Sequence, residues 1–476
     1  ENDYPETRQI RLERNYRSTQ VILDAATAVV SRNVARKGKV LWTDRAGGAR
    51  VGFYEAQDAD EEADFVAGET HRTLMAESDS SVAVLYRTNA QSRLFEEALR
   101  RLAIDYRVVG GFSFYERAEV RDLLAYARLA TNLKDSASLL RVINTPPRSI
   151  GDTTVELLQA SARRGNLTLW EALEQELAAK LLSARPLRVL EVFYNLIREL
   201  VAAREQMSMS GFFREILDRT KYLEMLRGEA TPEAEGRIEN LQELVNAAAE
   251  AEERGETLAE FLDHAALVSD ADAYDERARV TLMTLHSAKG LEFATVFLAG
   301  LEEGLFPHKL SLDDDAALEE ERRLCYVGMT RARDRLILSR GRSRRSFARE
   351  DYEASRPSRF LREVPTELLE PLNLTMSGAK PRTVWENAVS SRADVDRFLR
   401  ERGASRRERS FGGMKSGAAA RSNSRWKLGA PVRHPKFGLG TVLDCEGEGD
   451  DTKLTVSFPG YGKKKFVEKF AQLEKV

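Results

Sequence analysis

The chain has 476 residues, 42% of them hydrophobic and 31% charged, enough to bury sizeable cores and to divide into about three domains by the usual size of a domain. A net charge of −3 neither favours nor excludes nucleic acid, because it hides local asymmetry: residues 400–427 carry nine Lys or Arg against two Asp or Glu, while Asp313 to Asp315 and Glu319 to Glu321 are acidic clusters. Two distant cysteines, Cys325 and Cys445, argue against a disulfide framework and suit a reducing cytoplasm, and neither a signal peptide nor a membrane-length apolar run is present.

In chain order, Ser18 and Thr19 precede the periodic apolar set Val21, Ile22, Ala25, Ala26, Val29 and Val30, which predicts a capped helix directly after Arg17. Residues 82–87 read as a buried strand, 91–102 as a helix with Leu94, Phe95, Ala98, Leu99 and Leu102 inward, and 105–109 as a second strand. This alternation predicts a parallel sheet. From about 116 to 272 the pattern is helical, with turns at Thr145-Pro146-Pro147 and Thr231-Pro232. Strand signals return at 279–285 and 294–300, followed by a helix near 317–332 and a strand at 335–339. The simplest reading is one α/β domain interrupted by a helical insertion. Residues 366–427 lose periodicity and read as a flexible basic linker. Short β runs between glycines from Leu428 onward suggest a small barrel.

Three runs carry chemistry. Arg14-Asn15-Tyr16-Arg17-Ser18-Thr19 sets an aromatic ring beside a guanidinium at a helix start, where an adenine could stack on Tyr16 and Arg17 could reach a phosphate. Thr284 to Phe293 follows a strand; Glu292 could accept from a ribose hydroxyl while His286 and Lys289 face a DNA backbone. Glu319 to Arg333 ends in Arg331, which could act as an arginine finger on a transferred phosphoryl group, with Arg322 and Arg323 as partners of the nearby carboxylates. Taken alone, each run reads first as ordinary charged surface. No G-x-x-x-x-G-K-[ST] phosphate loop exists, since neither Gly38-Lys39 nor Lys289-Gly290 fits it. The chain also begins at Glu1, directly before a motif, so the expectation is the second half of an ATP-driven machine.

Together the three runs resemble motifs IV, V and VI of superfamily 1A DNA helicases, the UvrD/PcrA/Rep family. The likeness extends through VAVLYRTNAQSR, VVGGFSFYERAEV and Gly304-Leu305-Phe306-Pro307-His308, covering most of residues 1–365. It implies a RecA-like domain 2A in two segments, 1–110 and 276–365, a helical domain 2B at 111–275, the linker at 366–427 and a Tudor-like barrel at 428–476. By matching motifs, the resemblance implies that Tyr16 would stack on adenine, Arg17 and Arg331 would contact the γ-phosphate, and Glu292 would bind the ribose. The resemblance likewise implies that His286, His308 and Phe347 would contact single-stranded DNA, although an aromatic after a basic run equally suits packing. Arg148-Ser149-Ile150-Gly151 resembles the family's duplex-contacting Gly-Ile-Gly loop, with Ser149 in place of its first glycine and Gly151 as its last.

The implied function is the C-terminal half of an ATP-dependent 3′ to 5′ helicase or translocase acting on single-stranded and tailed duplex DNA in repair. The phosphate loop and the Mg²⁺-holding carboxylates are expected in an N-terminal half, since Asp275-Glu276 lacks a preceding hydrophobic strand. The barrel is expected to meet repair or transcription proteins, and the five scattered histidines predict no structural metal site. The alternative is a stand-alone DNA-binding or protein-interaction module without catalysis. A nuclease fusion finds no support, because no downstream carboxylate and lysine cluster is present.

Overall fold

The computed structural model describes residues 13–34, 42–77, 79–180, 182–271, 277–348 and 351–372, and in the tail 431–435, 438–446, 453–458, 462–467 and 474–475. Residues 373–427 of the stretch read as a linker, and Asp275-Glu276, lie outside the described residues. Residues 1–403 and 404–476 cluster as two separate units.

The first unit opens with α1 (Gln20–Val30), β1 (Val51–Ala56), α2 (Ala59–Ala76), β2 (Val82–Tyr86), α3 (Ser92–Arg101) and β3 (Tyr106–Val109). Helices α4 (Ala118–Thr131), α5 (Ser136–Val142), α6 (Asp152–Gly165), α7 (Leu169–Ala179), α8 (Ala184–Arg204), α9 (Met209–Thr220), α10 (Tyr222–Glu229), α11 (Pro232–Glu253) and α12 (Leu258–Ala271) follow. The chain then returns through β4 (Val280–Thr284), β5 (Phe293–Leu298), α13 (Asp315–Met329), β6 (Ala332–Gly341), a hairpin of β7 (Ser343–Arg345) and β8 (Tyr352–Ala354), α14 (Arg359–Glu363) and β9 (Leu369–Pro371).

Seven strands form one sheet in the order β3-β4-β2-β5-β6-β1-β9, every pairing parallel. Strand β2 shows why its sequence is apolar throughout. Ala83 and Leu85 pack toward α1 and α13, while Val82, Val84 and Tyr86 pack toward α2 and α3, so both faces are covered. The α1 residues Ile22, Leu23, Ala25, Ala26, Val29 and Val30 are all buried, as their 3.6-residue spacing requires. Strands β1 and β9 and helix α2 carry weaker signals and were not legible in the sequence. β9 falls inside the stretch read as linker, yet pairs with β1 from Val51↔Leu369 to Phe53↔Pro371.

The helical insertion has its own core, centred on Leu123, Phe193, Phe213, Tyr222, Leu241 and Leu244. Local rules set its boundaries. Thr168 and Glu171 form a capping box on α7, and Thr231 accepts from the Ala234 amide beneath Pro232 at the start of α11. Against the α/β body, α11 presents carboxylates to cations. Glu243 and Glu250 lie 2.6 and 2.9 Å from the buried Arg93 guanidinium, and Glu235 lies 2.7 Å from Lys309. The sequence reading did not detect this charged seam.

A second buried network joins α2, the β5 end and the hairpin. Arg344 lies 2.6 Å from Glu62 and 2.7 Å from Glu302, Ser339 Oγ donates to Glu62 at 2.8 Å, and the Gly300 and Gly341 amides donate to Glu62 and Glu302. Burial pushes the Glu62 carboxyl up, against the pull of Arg344. Removing the cation would leave two buried carboxylates without it. Arg344→Ala is therefore expected to destabilise the protein by about 3–5 kcal/mol, and Arg344→Lys by less, read from urea unfolding; equal stability of Arg344→Ala and the parent would contradict this.

The second unit is an antiparallel sheet of β10 (Pro431–His434), β11 (Gly438–Glu446), β12 (Lys453–Phe458), β13 (Gly462–Val467) and β14 (Glu474–Lys475), in the order β13-β12-β11-β10-β14. A register shift interrupts β11 between Val442 and Asp444, which bends the strand, and Val432 and Val456 are buried.

Candidate functional site

In a parallel sheet the strands share one amino edge and one carboxyl edge, and the residues singled out from sequence separate between them. Glu292 immediately precedes β5 and Arg331 immediately precedes β6, and the Phe293 amide donates to the Arg331 carbonyl at 3.0 Å. Both therefore lie at the amino edge, whereas the sequence pattern suggested the carboxyl end of a strand for the whole 284–293 run. Arg17 joins them: its Nε donates to Glu292 Oε2 at 2.8 Å and its Nη1 to the Thr330 carbonyl at 3.3 Å.

Asn15 shapes the loop that delivers Arg17. Its Oδ1 accepts from the amides of Arg17 at 2.8 Å and Ser18 at 2.9 Å, an Asx turn, while Ser18 Oγ donates to the Ala332 carbonyl at 2.7 Å. Tyr16 is thereby turned outward and is 74% exposed, with the Arg14 guanidinium 4.6 Å from its ring centroid and 5.6 Å from that of Trp42. Arg14 also pairs with Asp44.

A cleft of about 700 Å³ opens here, lined by Arg14, Asn15, Tyr16, Arg17, Arg45, Glu292, Arg333 and Asp334. That is room for a nucleotide-sized ligand. Four of its eight lining residues are arginines, against two carboxylates, and Arg333 Nε is buried with no hydrogen-bond partner among the described residues. The cleft is suited to an anion. The hydrogen bond from Arg17 holds the Glu292 carboxyl below the usual carboxylate range. Burial, and then the charge of Arg17, lower the Arg331 guanidinium from its ordinary value. Arg331 does not line the cleft. It donates to the Val327 carbonyl at 3.0 Å, the Leu291 carbonyl at 3.2 Å and Thr330 Oγ1 at 3.4 Å.

The carboxyl edge gathers a different set. His286 is exposed two residues past β4. Arg87, just past β2, makes a forked pair with Glu321 at 2.7–3.0 Å, and Glu321 Oε2 also accepts from the His308 amide at 3.0 Å. The His308 ring is buried, with Nε2 3.0 Å from Glu239 Oε1 on α11. Phe347 is half-buried against the insertion core, 5.3 Å from the Arg214 guanidinium. Ser149 and Gly151 are exposed in the insertion, with Ile150 buried between them and Ser149 in the left-handed region at φ 60°. Arg323 pairs with Glu319 and Glu320 as expected, but Arg322 pairs with Glu363 at 3.0 Å, not with the carboxylates beside it.

Sequence reasoning gave no role to Arg14, Arg45, Arg87, Arg333 or Asp334. The Asx-turn pattern around Asn15 was a signal that could have been read. Arg45 carried none: it reaches Asp334 and the Arg333 carbonyl at 2.5 and 2.9 Å, 289 and 288 residues away.

These features define an α/β domain with a helical insertion and an arginine-rich cleft at the amino edge of its parallel sheet. The chain belongs to the UvrD-like helicase C-terminal domain family, whose model matches residues 10–343, and residues 428–475 match the PcrA/UvrD tudor domain. It is 40% identical over 487 residues to the ATP-dependent DNA helicase PcrA of Bacillus subtilis (strain 168) and 40% over 488 residues to DNA helicase II of Escherichia coli (strain K12). It is 38% identical over 482 residues to PcrA of Staphylococcus epidermidis (strain ATCC 35984). In each case the alignment covers 100% of this chain and 63% of the relative.

The His286 environment makes a testable claim. Partial burial, then the charge of Arg87, hold its imidazole below the ordinary value, with Glu321 and Glu320 opposing. Arg87→Met removes the cation and unpairs Glu321, and both changes favour imidazolium. The His286 titration midpoint, followed by NMR, should therefore rise in Arg87→Met; an unchanged midpoint would show that Arg87 does not set it.

Proposed function

We propose that this chain is the C-terminal portion of an ATP-dependent 3′ to 5′ DNA helicase or translocase acting in DNA repair, joined to an N-terminal half that supplies the phosphate loop. The observation that carries the reading is the Arg17, Glu292 and Tyr16 cleft beside Arg331, together with the family membership. In this reading, segments 1–110 and 276–365 form one RecA-like domain, 111–275 a helical insertion and 428–476 a module for repair or transcription proteins. Single-stranded DNA lies along the carboxyl edge at exposed His286, and duplex meets Ser149 and Gly151; contact at His308 and Phe347 needs the first to leave Glu239 and the second to leave the insertion core. No described helix is long and apolar enough to cross a membrane, and the proposed compartment is the cytoplasm.

ATP would lie against the amino edge, with adenine on Tyr16, the ribose on Glu292 and the γ-phosphate near Arg17 and Arg331. As the phosphoryl group transfers, charge accumulates on its oxygens, and two guanidiniums fixed beside it stabilise that charge more than the ground state. Arg331 spends one hydrogen from each of its three nitrogens on the Val327 and Leu291 carbonyls and Thr330 Oγ1, which leaves one N–H on each terminal nitrogen for phosphate oxygens. Among the described residues no group of three or more His, Cys, Asp or Glu is placed to hold a metal ion. In this reading the magnesium ion that accompanies ATP is held by the N-terminal half.

A module without catalysis is the second reading, favoured by the engagement of all three Arg331 nitrogens with the chain's own oxygens. DNA-stimulated ATP hydrolysis separates the two. The chain alone should not turn over ATP. In the protein carrying both halves, Arg331→Ala should lower kcat by about 10³-fold or more while leaving single-stranded DNA affinity within a few-fold. Parent-level turnover in Arg331→Ala would sink the helicase assignment of that residue, and absence of turnover in the joined protein would favour the binding module.

A further inference from the structure

The loop leaving β3 holds a phenylalanine out in water. Phe112 is 69% exposed, next to two aromatics that are fully buried, Phe114 and Tyr115. The loop is pinned on both sides. Before Phe112, Gly110 adopts φ +82° and passes so close to the 284–287 turn that a β-carbon would sit 2.3 Å from Ser287 Oγ. After it, Ser113 and Glu116 form a capping box, and the Phe114 amide donates to the buried Glu96 carboxylate at 3.2 Å. A ring presented on so constrained a backbone gives up the burial that drives phenylalanine inward.

The sheet determines its neighbours. Because β3 pairs with β4 in parallel, Val109 opposite Met283, residues 110–112 emerge beside the turn that carries exposed His286 and Lys289. Arg87 lies just past the next strand, and Glu321, paired with Arg87, and Glu320 are the acidic groups that act on His286. An exposed apolar face of aromatic shape with cationic groups along the same edge matches single-stranded nucleic acid, a base on the ring and phosphates on the cations. A protein partner would need a broader apolar patch than one ring.

We propose that Phe112 is a base-stacking residue that extends the single-stranded DNA track past His286 at the β3 end of the sheet. This rests on the DNA-binding reading above. Binding of a fluorescent oligo(dT) to this chain, followed by anisotropy over a range of salt, tests it. Phe112→Ala should weaken binding by about 5- to 150-fold, Phe112→Trp should restore it to within about threefold, and the slope of log affinity against log salt should not change, because no phosphate contact is lost. Lys289→Ala should instead flatten that slope. Affinity of Phe112→Ala within twofold of the parent, or a changed salt slope in that variant, would overturn the inference while leaving DNA binding intact. If the parent chain itself does not bind oligo(dT), the inference falls together with the reading on which it rests.

Discussion

The parallel pairing of β4, β2 and β5 is the constraint on which the rest depends. Strand β4 ends at the carboxyl edge and β5 begins at the amino edge, with β2 between them in the sheet. The chain must therefore recross the depth of the sheet, about 16 Å for five strand residues, within residues 285–292. That crossing carries His286 near its start and Glu292 at its end. One short segment thus contributes to both edges. Burial of Leu285 and Ala288 beneath it keeps the segment seated on the sheet.

Charge does much of the fastening between elements distant in sequence. Glu321 takes Arg87 and the His308 amide at once, which ties α13 to the end of β2 and to the loop after β5. The insertion has its own apolar core but meets the α/β body through Arg93, Lys309 and His308 against carboxylates of α11. Such contacts add little attraction when solvated and are costly when half-broken in the interior, so they specify register more than they supply stability.

The sequence disclosed whatever depends on local periodicity. The strand at 82–87, the helices beginning after Arg17 and near 317, and the helical stretch from 116 to 272 are all visible in spacing and turn residues, because each buries a face by itself. Strand β1 (VGFYEA) and helix α2 were missed: β1 mixes glycine and glutamate into a short run, and α2 buries Glu62, Asp64 and Glu69, which look like surface until their arginines arrive from elsewhere. The candidate site divides in the same way. Tyr16, Arg17, Glu292 and Arg331 were legible as motifs, whereas Arg45 and Asp334 become neighbours only through the tertiary fold. The buried ring of His308 and the outward Ser149 could not be told apart by spacing, since partners on α11 decide the first and a left-handed backbone the second.

The two open sides of the seven-stranded sheet are finished differently. One ends in β9, only three residues long and terminated by Pro371, which has no amide hydrogen to offer. Leu372 then folds over Gly52, where a β-carbon would lie 2.8 Å from its Cδ1. A foreign strand approaching this margin would find a short, donor-poor ladder, so the segment that leads toward the tail also guards the sheet against edge-to-edge association and fibre growth.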